Sequence, residues 1–146
     1  MEEFKFSENP SLEAIRKLQA KFAADRNWDQ YHTPRNLLLA LVGEVGELAE
    51  IFQWKGEVKE GLPDFTDKEK EHVGQEMSDV LVYLIRLADK CNIDLPSAVE
   101  KKMKQNEQKY PVDKVYGKSD KYTAYQTTEN TSKVLENGEP GACGET

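Results

Sequence analysis

The segment TPRNLLLALVGEVGELAEIFQW, residues 33–54, decides the fold. It opens on Thr33-Pro34, a helix-capping hydroxyl followed by the residue whose missing N–H is harmless in a first turn. From there to about Trp54 only Gly43 and Gly46 interrupt the helix formers, each costing about 1 kcal/mol against Ala. Two glycines three apart imply either tight helix packing or close approach by another group. Leu37 to Val42 is an unbroken apolar run of six, so the helix is covered on more than one side. Glu44 and Glu47 sit directly after that run, where carboxylates need a reason to be.

Working outward, the flanking sequence predicts three more helices. Ser11 caps a first one, with Leu12, Ile15, Leu18 and Phe22 at helical spacing. A connection from Asn27 to His32 carries Trp28. After a loop over 55–65, Thr66 and Glu69 form a capping box that opens a third helix running to about Cys91. A short turn follows, and Pro96 begins a fourth helix that stops at Tyr110-Pro111. Beyond Pro111 the periodicity dissolves, and 124–146 is expected to be a disordered tail. No stretch alternates convincingly enough to be a strand. The expected fold is all-α: one four-helix domain over 1–123. Val80 to Ile85 is a second apolar run of six, more than one small bundle encloses, so a homo-oligomer is expected.

The third helix repeats the anomaly of the second. Glu76 and Asp79 stand in GQEMSDVLVYLI, again three apart and again beside apolar residues. That spacing places each pair ~60° apart and ~4.5 Å along the axis, on one helix face. An 11-residue loop makes the two helices antiparallel neighbours. Two like charges ~5 Å apart repel by roughly 3 kcal/mol at an effective dielectric of ~20. Four such acids together require protons or a cation, and oxygen-only ligands select a hard ion such as Mg²⁺. Mg²⁺ usually completes its shell with substrate phosphates, which points to phosphate chemistry. A ferritin-like di-iron bundle would need Glu-x-x-His on two helices. Only Glu69 to His72 supplies one, and His32 reads as a structural or capping residue.

Composition narrows the partners. A net charge of −7 with no basic run argues against a nucleic-acid polymer. No apolar stretch approaches the ~20 residues of a membrane helix, and MEEFKFSENPS has no signal-peptide pattern. Cys91 and Cys143 make neither a metal spacing nor a disulfide framework, so a reduced cytosolic setting is expected. A non-enzymatic helical scaffold remains a rival, although a scaffold has no need of acids embedded in apolar runs.

The segments GEVGELAEIFQWK, QEMSDVLVYLIRLA and AVEKKMKQNEQKYP together resemble the all-α nucleoside triphosphate pyrophosphatases of the MazG-like superfamily. In that superfamily E-x-x-E, 28 intervening residues and E-x-x-D form the metal motif. Within it, RNW-DQYH, the turn NIDLP and K-M-x-x-N-x-x-K-Y-P are similar to the eukaryotic dCTP pyrophosphatases. The resemblance implies a homotetrameric, dimer-of-dimers enzyme that hydrolyses dCTP, and 5-modified dCTP, to dCMP and pyrophosphate. A dUTP or broad damaged-nucleotide hydrolase of the same superfamily is the sister reading. Carried across, Glu44, Glu47, Glu76 and Asp79 would be the Mg²⁺ ligands; the pattern does not say which glutamate orients the attacking water, and Glu47 is taken here for that role. Lys102 and Asn106 would face the phosphates with Tyr110 nearby, Trp28 and Trp54 would line the base pocket, and Tyr83 would lie beneath the sugar or base. Gln19 stands where that pattern carries a histidine near the base, which bears on base selectivity.

Overall fold

The computed structural model describes residues 3–121 and 123. The expected tail, 124–146, therefore lies outside the described residues, as does Cys143. Helix α1 spans Leu12–Asp25, α2 Pro34–Gln53, α3 Asp67–Lys90, α4 Leu95–Lys109 and α5 Val112–Val115. No strand occurs among the described residues. The chain divides into one compact unit up to Ala98 and a second from Val99 onward.

The caps form as the sequence dictates. The Ser11 hydroxyl accepts from the N–H of Ala14 at 3.1 Å, and that of Thr33 from Asn36 at 3.4 Å. At Thr66 both halves of the capping box are present: the Glu69 N–H donates to the Thr66 hydroxyl, and the Thr66 N–H to Glu69 Oε2. Helix α4 begins one residue before Pro96, because the Asp94 carboxylate accepts from the N–H and hydroxyl of Ser97. The one-turn α5 falls where the sequence pattern dissolves, since four residues are too few to show a period.

In the first unit α3 packs against both α1 and α2. Ala23, Leu37, Val73, Ile85 and Ala88 form its core. Phe65, from the α2–α3 connection, is also buried, its ring 5.7 Å from that of Phe52. Lys55 lies over the Phe65 ring and forms a hydrogen-bonded ion pair with Glu69. Glu69 therefore performs two tasks, capping α3 and clasping the end of α2. Together these contacts fix the register of α2 against α3, on which the position of every acid depends.

The two central helices are not covered as their apolar runs demand. Leu37 and Ile85 are buried, yet Leu39 and Val42 are 54% and 61% exposed, and Val45, Met77 and Leu84 also face outward. The glycines tell the same story. A Cβ placed on Gly43 or Gly46 would meet nothing within 4 Å, so packing inside the chain does not require them.

The clasp has a pH signature. Lys55 and the Thr66 N–H and hydroxyl pull the Glu69 carboxyl down to about 2 from 4.5. A depressed carboxyl contributes stability above its unfolded value and loses it as pH falls toward the folded one. Glu69→Gln should therefore flatten the acid limb of the stability curve between pH 4.5 and about 2. Thr66→Ala should cost about 1 kcal/mol in denaturant unfolding at neutral pH. An unchanged acid limb in Glu69→Gln would show that the clasp is not formed in solution.

Candidate metal centre

Helices α2 and α3 bring three carboxylates together. One oxygen each from Glu44, Glu47 and Glu76 lies within 4.8 Å of the others. Glu44 and Glu76 are half-buried and Glu47 is exposed, so the cluster opens on one side to solvent. The sequence reason is periodic: three residues is nearly one turn, so each pair shares a face, and the fixed α2–α3 register turns those faces toward each other. Asp79, exposed on the next turn of α3, is not among the three, but its charge reaches them.

The electrostatics are those of an uncompensated site. Burial, then the charges of Glu47, Asp79 and Glu76, push the Glu44 carboxyl above its usual 4.5. Burial and the charges of Glu44 and Asp79 likewise push the Tyr83 hydroxyl up from 10.0. Glu76 Oε1 lies 3.0 Å from His72 Nε2, while Oε2 is buried with no hydrogen-bond partner. A buried, unpartnered carboxylate oxygen is costly unless something else meets it. All-oxygen donors, mutual repulsion and this orphaned oxygen fit a divalent cation of the hard class.

The remaining candidate residues fall into three settings. Trp28, 44% exposed, sits in the α1–α2 connection with its ring 5.8 Å from Phe22 and 6.5 Å from His32. Trp54, at the C-cap of α2, is 78% exposed, and Gln19 is half-buried on α1. Tyr83 stands one turn beyond Asp79 on α3, half-buried. Lys102, Asn106 and Tyr110 belong to the second unit, at successive turns of α4 and its end. There the Tyr110 N–H donates to the Asn106 carbonyl at 2.8 Å.

Sequence reasoning passed over two features. His72, which in sequence supplies only half of a di-iron motif, extends the acidic cluster by a hydrogen bond to Glu76, four residues on along the same helix face. The other is Arg86, a buried guanidinium that no periodicity marks.

With this geometry in hand, the chain can be set beside known proteins. Residues 40–124, spanning both carboxylate pairs, match the MazG-like family. The chain belongs to the MazG-like family. Among its relatives is dCTP pyrophosphatase 1 of Mus musculus, 56% identical over 120 residues, covering 82% of this chain and 71% of that protein. The Rattus norvegicus dCTP pyrophosphatase 1 is 50% identical over 140 residues, covering 95% of this chain and 82% of that protein. A pyrophosphatase from Archaeoglobus fulgidus, of known crystal structure, superposes with a TM-score of 0.62 at 37% identity, covering 73% of this chain and 99% of that one. The all-α fold and its MazG-like character are thus common to this chain and its relatives.

A raised carboxyl in a cation-free cluster makes a signed prediction. Glu44 stabilises the fold while protonated, and that contribution is lost as pH rises from 4.5 through its raised value. Melting in the presence of a chelator should show this loss, and Glu44→Gln should remove it and melt higher than wild type at pH 7. A divalent salt should stabilise wild type and leave Glu44→Gln nearly unmoved. If chelator and salt made no difference to wild type, the cluster would not be a cation site.

Proposed function

We propose that this MazG-like chain is a Mg²⁺-dependent pyrophosphohydrolase that converts dCTP to dCMP and pyrophosphate, cleaning the nucleotide pool. The observation that carries this reading is the three-carboxylate cluster with its unpartnered buried oxygen, in a chain about half identical to dCTP pyrophosphatases. Glu44, Glu47, Glu76 and Asp79 would hold the ion. When bound, it supplies neutralising charge and Lewis acidity to the triphosphate.

The chain's own groups divide the rest of the work. Glu47, the exposed member of the cluster, orients a water and takes its proton. The water oxygen bonds to the α-phosphorus as the bond to the α–β bridging oxygen breaks, so pyrophosphate leaves and dCMP remains. Lys102, Asn106 and Tyr110 are proposed to donate to the polyphosphate, a role suited to a cation, an amide and a phenol at i, i+4 and i+8. Trp28 and Trp54 would stack the base, Tyr83 would support the sugar or base, and Gln19 would bear on the choice between cytosine, its 5-modified forms and uracil. The ligand is a free nucleotide rather than a nucleic-acid polymer. The setting is the cytosol, where a thiol such as exposed Cys91 stays reduced. No helix among the described residues is long and apolar enough to cross a membrane.

The same reading includes a homotetramer. Its support is the outward-facing apolar surface of α2 and α3, at Leu39, Val42, Val45, Met77 and Leu84. Sedimentation at micromolar concentration should give a species larger than a monomer, and Val42→Glu should shift it downward. A monomeric wild type would refute this part.

Product analysis tests the chemistry. Pyrophosphate and dCMP should appear together, and Glu47→Gln should lower kcat by about 100-fold or more. Trp54→Ala should raise KM for dCTP by about tenfold, the loss of one base stack. Orthophosphate as the first product would refute attack at the α-phosphorus. Equal rates on dCTP, dUTP and the purine nucleotides would refute the dCTP assignment alone.

A further inference from the structure

Arg86 is 2% exposed, the one charged residue among the buried side chains described. A buried charge persists only when its hydrogen-bonding groups are met. Here Nε donates to His32 Nδ1 at 3.0 Å, Nη1 to Asp89 Oδ2 at 2.9 Å and Nη2 to Asp29 Oδ1 at 2.5 Å. The two carboxylates are held in turn: Asp29 accepts from Lys90 Nζ, and Asp89 from Arg16 Nη1, each at 3.0 Å. Lys90 and Arg86 also draw the Asp29 carboxyl below its ordinary range.

Two of the three acceptors, Asp29 and His32, lie in the α1–α2 connection, immediately after and one turn beyond Trp28. That connection is otherwise closed on its own ends. The Trp28 N–H donates to the Ala23 carbonyl, the His32 N–H to those of Trp28 and Asp29, and Asn36 Nδ2 to Tyr31. None of these bonds ties it to α3; Arg86 and Lys90 do. On α3, Glu76, Asp79, Tyr83 and Arg86 fall at i, i+3, i+7 and i+10, close to one stripe of the helix. The helix that presents acids at one level thus grips the Trp28 connection about 15 Å further along. A planar fork with donors in three fixed directions suits this better than a lysine, whose ammonium is a single point.

We infer that Arg86 is a positioning residue for base recognition, holding the Trp28–His32 connection against the helix that carries Glu76 and Asp79. This rests on the proposed role of Trp28 as a stacking platform. Arg86 touches no reacting atom, so its loss should act on KM rather than kcat.

The test is a double-mutant cycle on the full chain with dCTP and MgCl₂. Arg86→Met and Trp28→Ala should each raise KM by about tenfold, the loss of one base stack. Arg86→Met should keep kcat and the stabilisation by MgCl₂ within about twofold of wild type, because Arg86 touches none of the acids. The double variant should have a KM no higher than the worse single variant, because Arg86 acts through Trp28. If Trp28→Ala raises KM while Arg86→Met does not, or if the two effects multiply, the Arg86 role is overturned and the base platform stands. If Trp28→Ala leaves KM unchanged, the platform reading falls and takes the Arg86 role with it. Should Arg86→Met fail to fold, Asp29→Ala removes the acceptor of Arg86 Nη2 at a half-exposed position. It should raise KM in the same direction by a smaller factor, non-additively with Trp28→Ala, and an unchanged KM there would equally overturn the role.

Discussion

Carboxylates do not gather by themselves. Glu44, Glu47 and Glu76 approach within 4.8 Å because α2 and α3 are locked in one register, and the lock must outweigh the repulsion it creates. Its parts lie at the far end of the same pair of helices. Phe65 is buried against Phe52, Lys55 reaches Glu69, and Glu69 completes the cap of α3. A slip of one residue along either helix would turn a carboxylate by ~100° and scatter the cluster. The connection between α2 and α3 is therefore part of the site even though it supplies none of its acids.

The same register leaves apolar surface uncovered. A single chain buries Leu37 and Ile85 but turns Leu39, Val42 and Met77 outward. Glu44 and Glu47 lie just beyond Leu39 and Val42 on α2, interleaved with Val45 and the two glycines. Open space beside Gly43 and Gly46 lies on the same turns of α2 as exposed Leu39 and Val42, whereas Glu44 lies on the side of buried Leu37.

How much of this was legible depends on the range of the interaction. The caps at Ser11, Thr33 and Thr66 join residues three apart, and each was readable from its own few letters. The acidic cluster was readable because periodicity fixes which residues share a face and a short connection fixes which helices are neighbours. Asp79 shows the limit: periodicity places it on the right face but does not say that it stands outside the tight group of three. Arg86 shows the opposite limit. Its partners Asp29 and His32 are 57 and 54 residues away, and ionic pairing at that separation leaves no trace in spacing or hydropathy. In sequence, Arg86 only looks like an interruption of an apolar run.

Helix α3 treats charge in two opposite ways along its length. At Glu76 it buries a carboxylate oxygen and gives it no partner. At Arg86 it buries a guanidinium and meets it with two carboxylates and an imidazole, each itself bonded or fixed. Both arrangements carry a desolvation cost, and only the second is repaid within the chain. On a helix that meets its other buried charge with three acceptors, the polar group left unmet is where a divalent cation fits. The rigid end gives the helix a fixed position relative to the Trp28 connection, and the unsatisfied end presents its charge from that fixed position. The binding energy of a cation can then go into the site's own geometry instead of ordering it first, which is the physical meaning of preorganisation here.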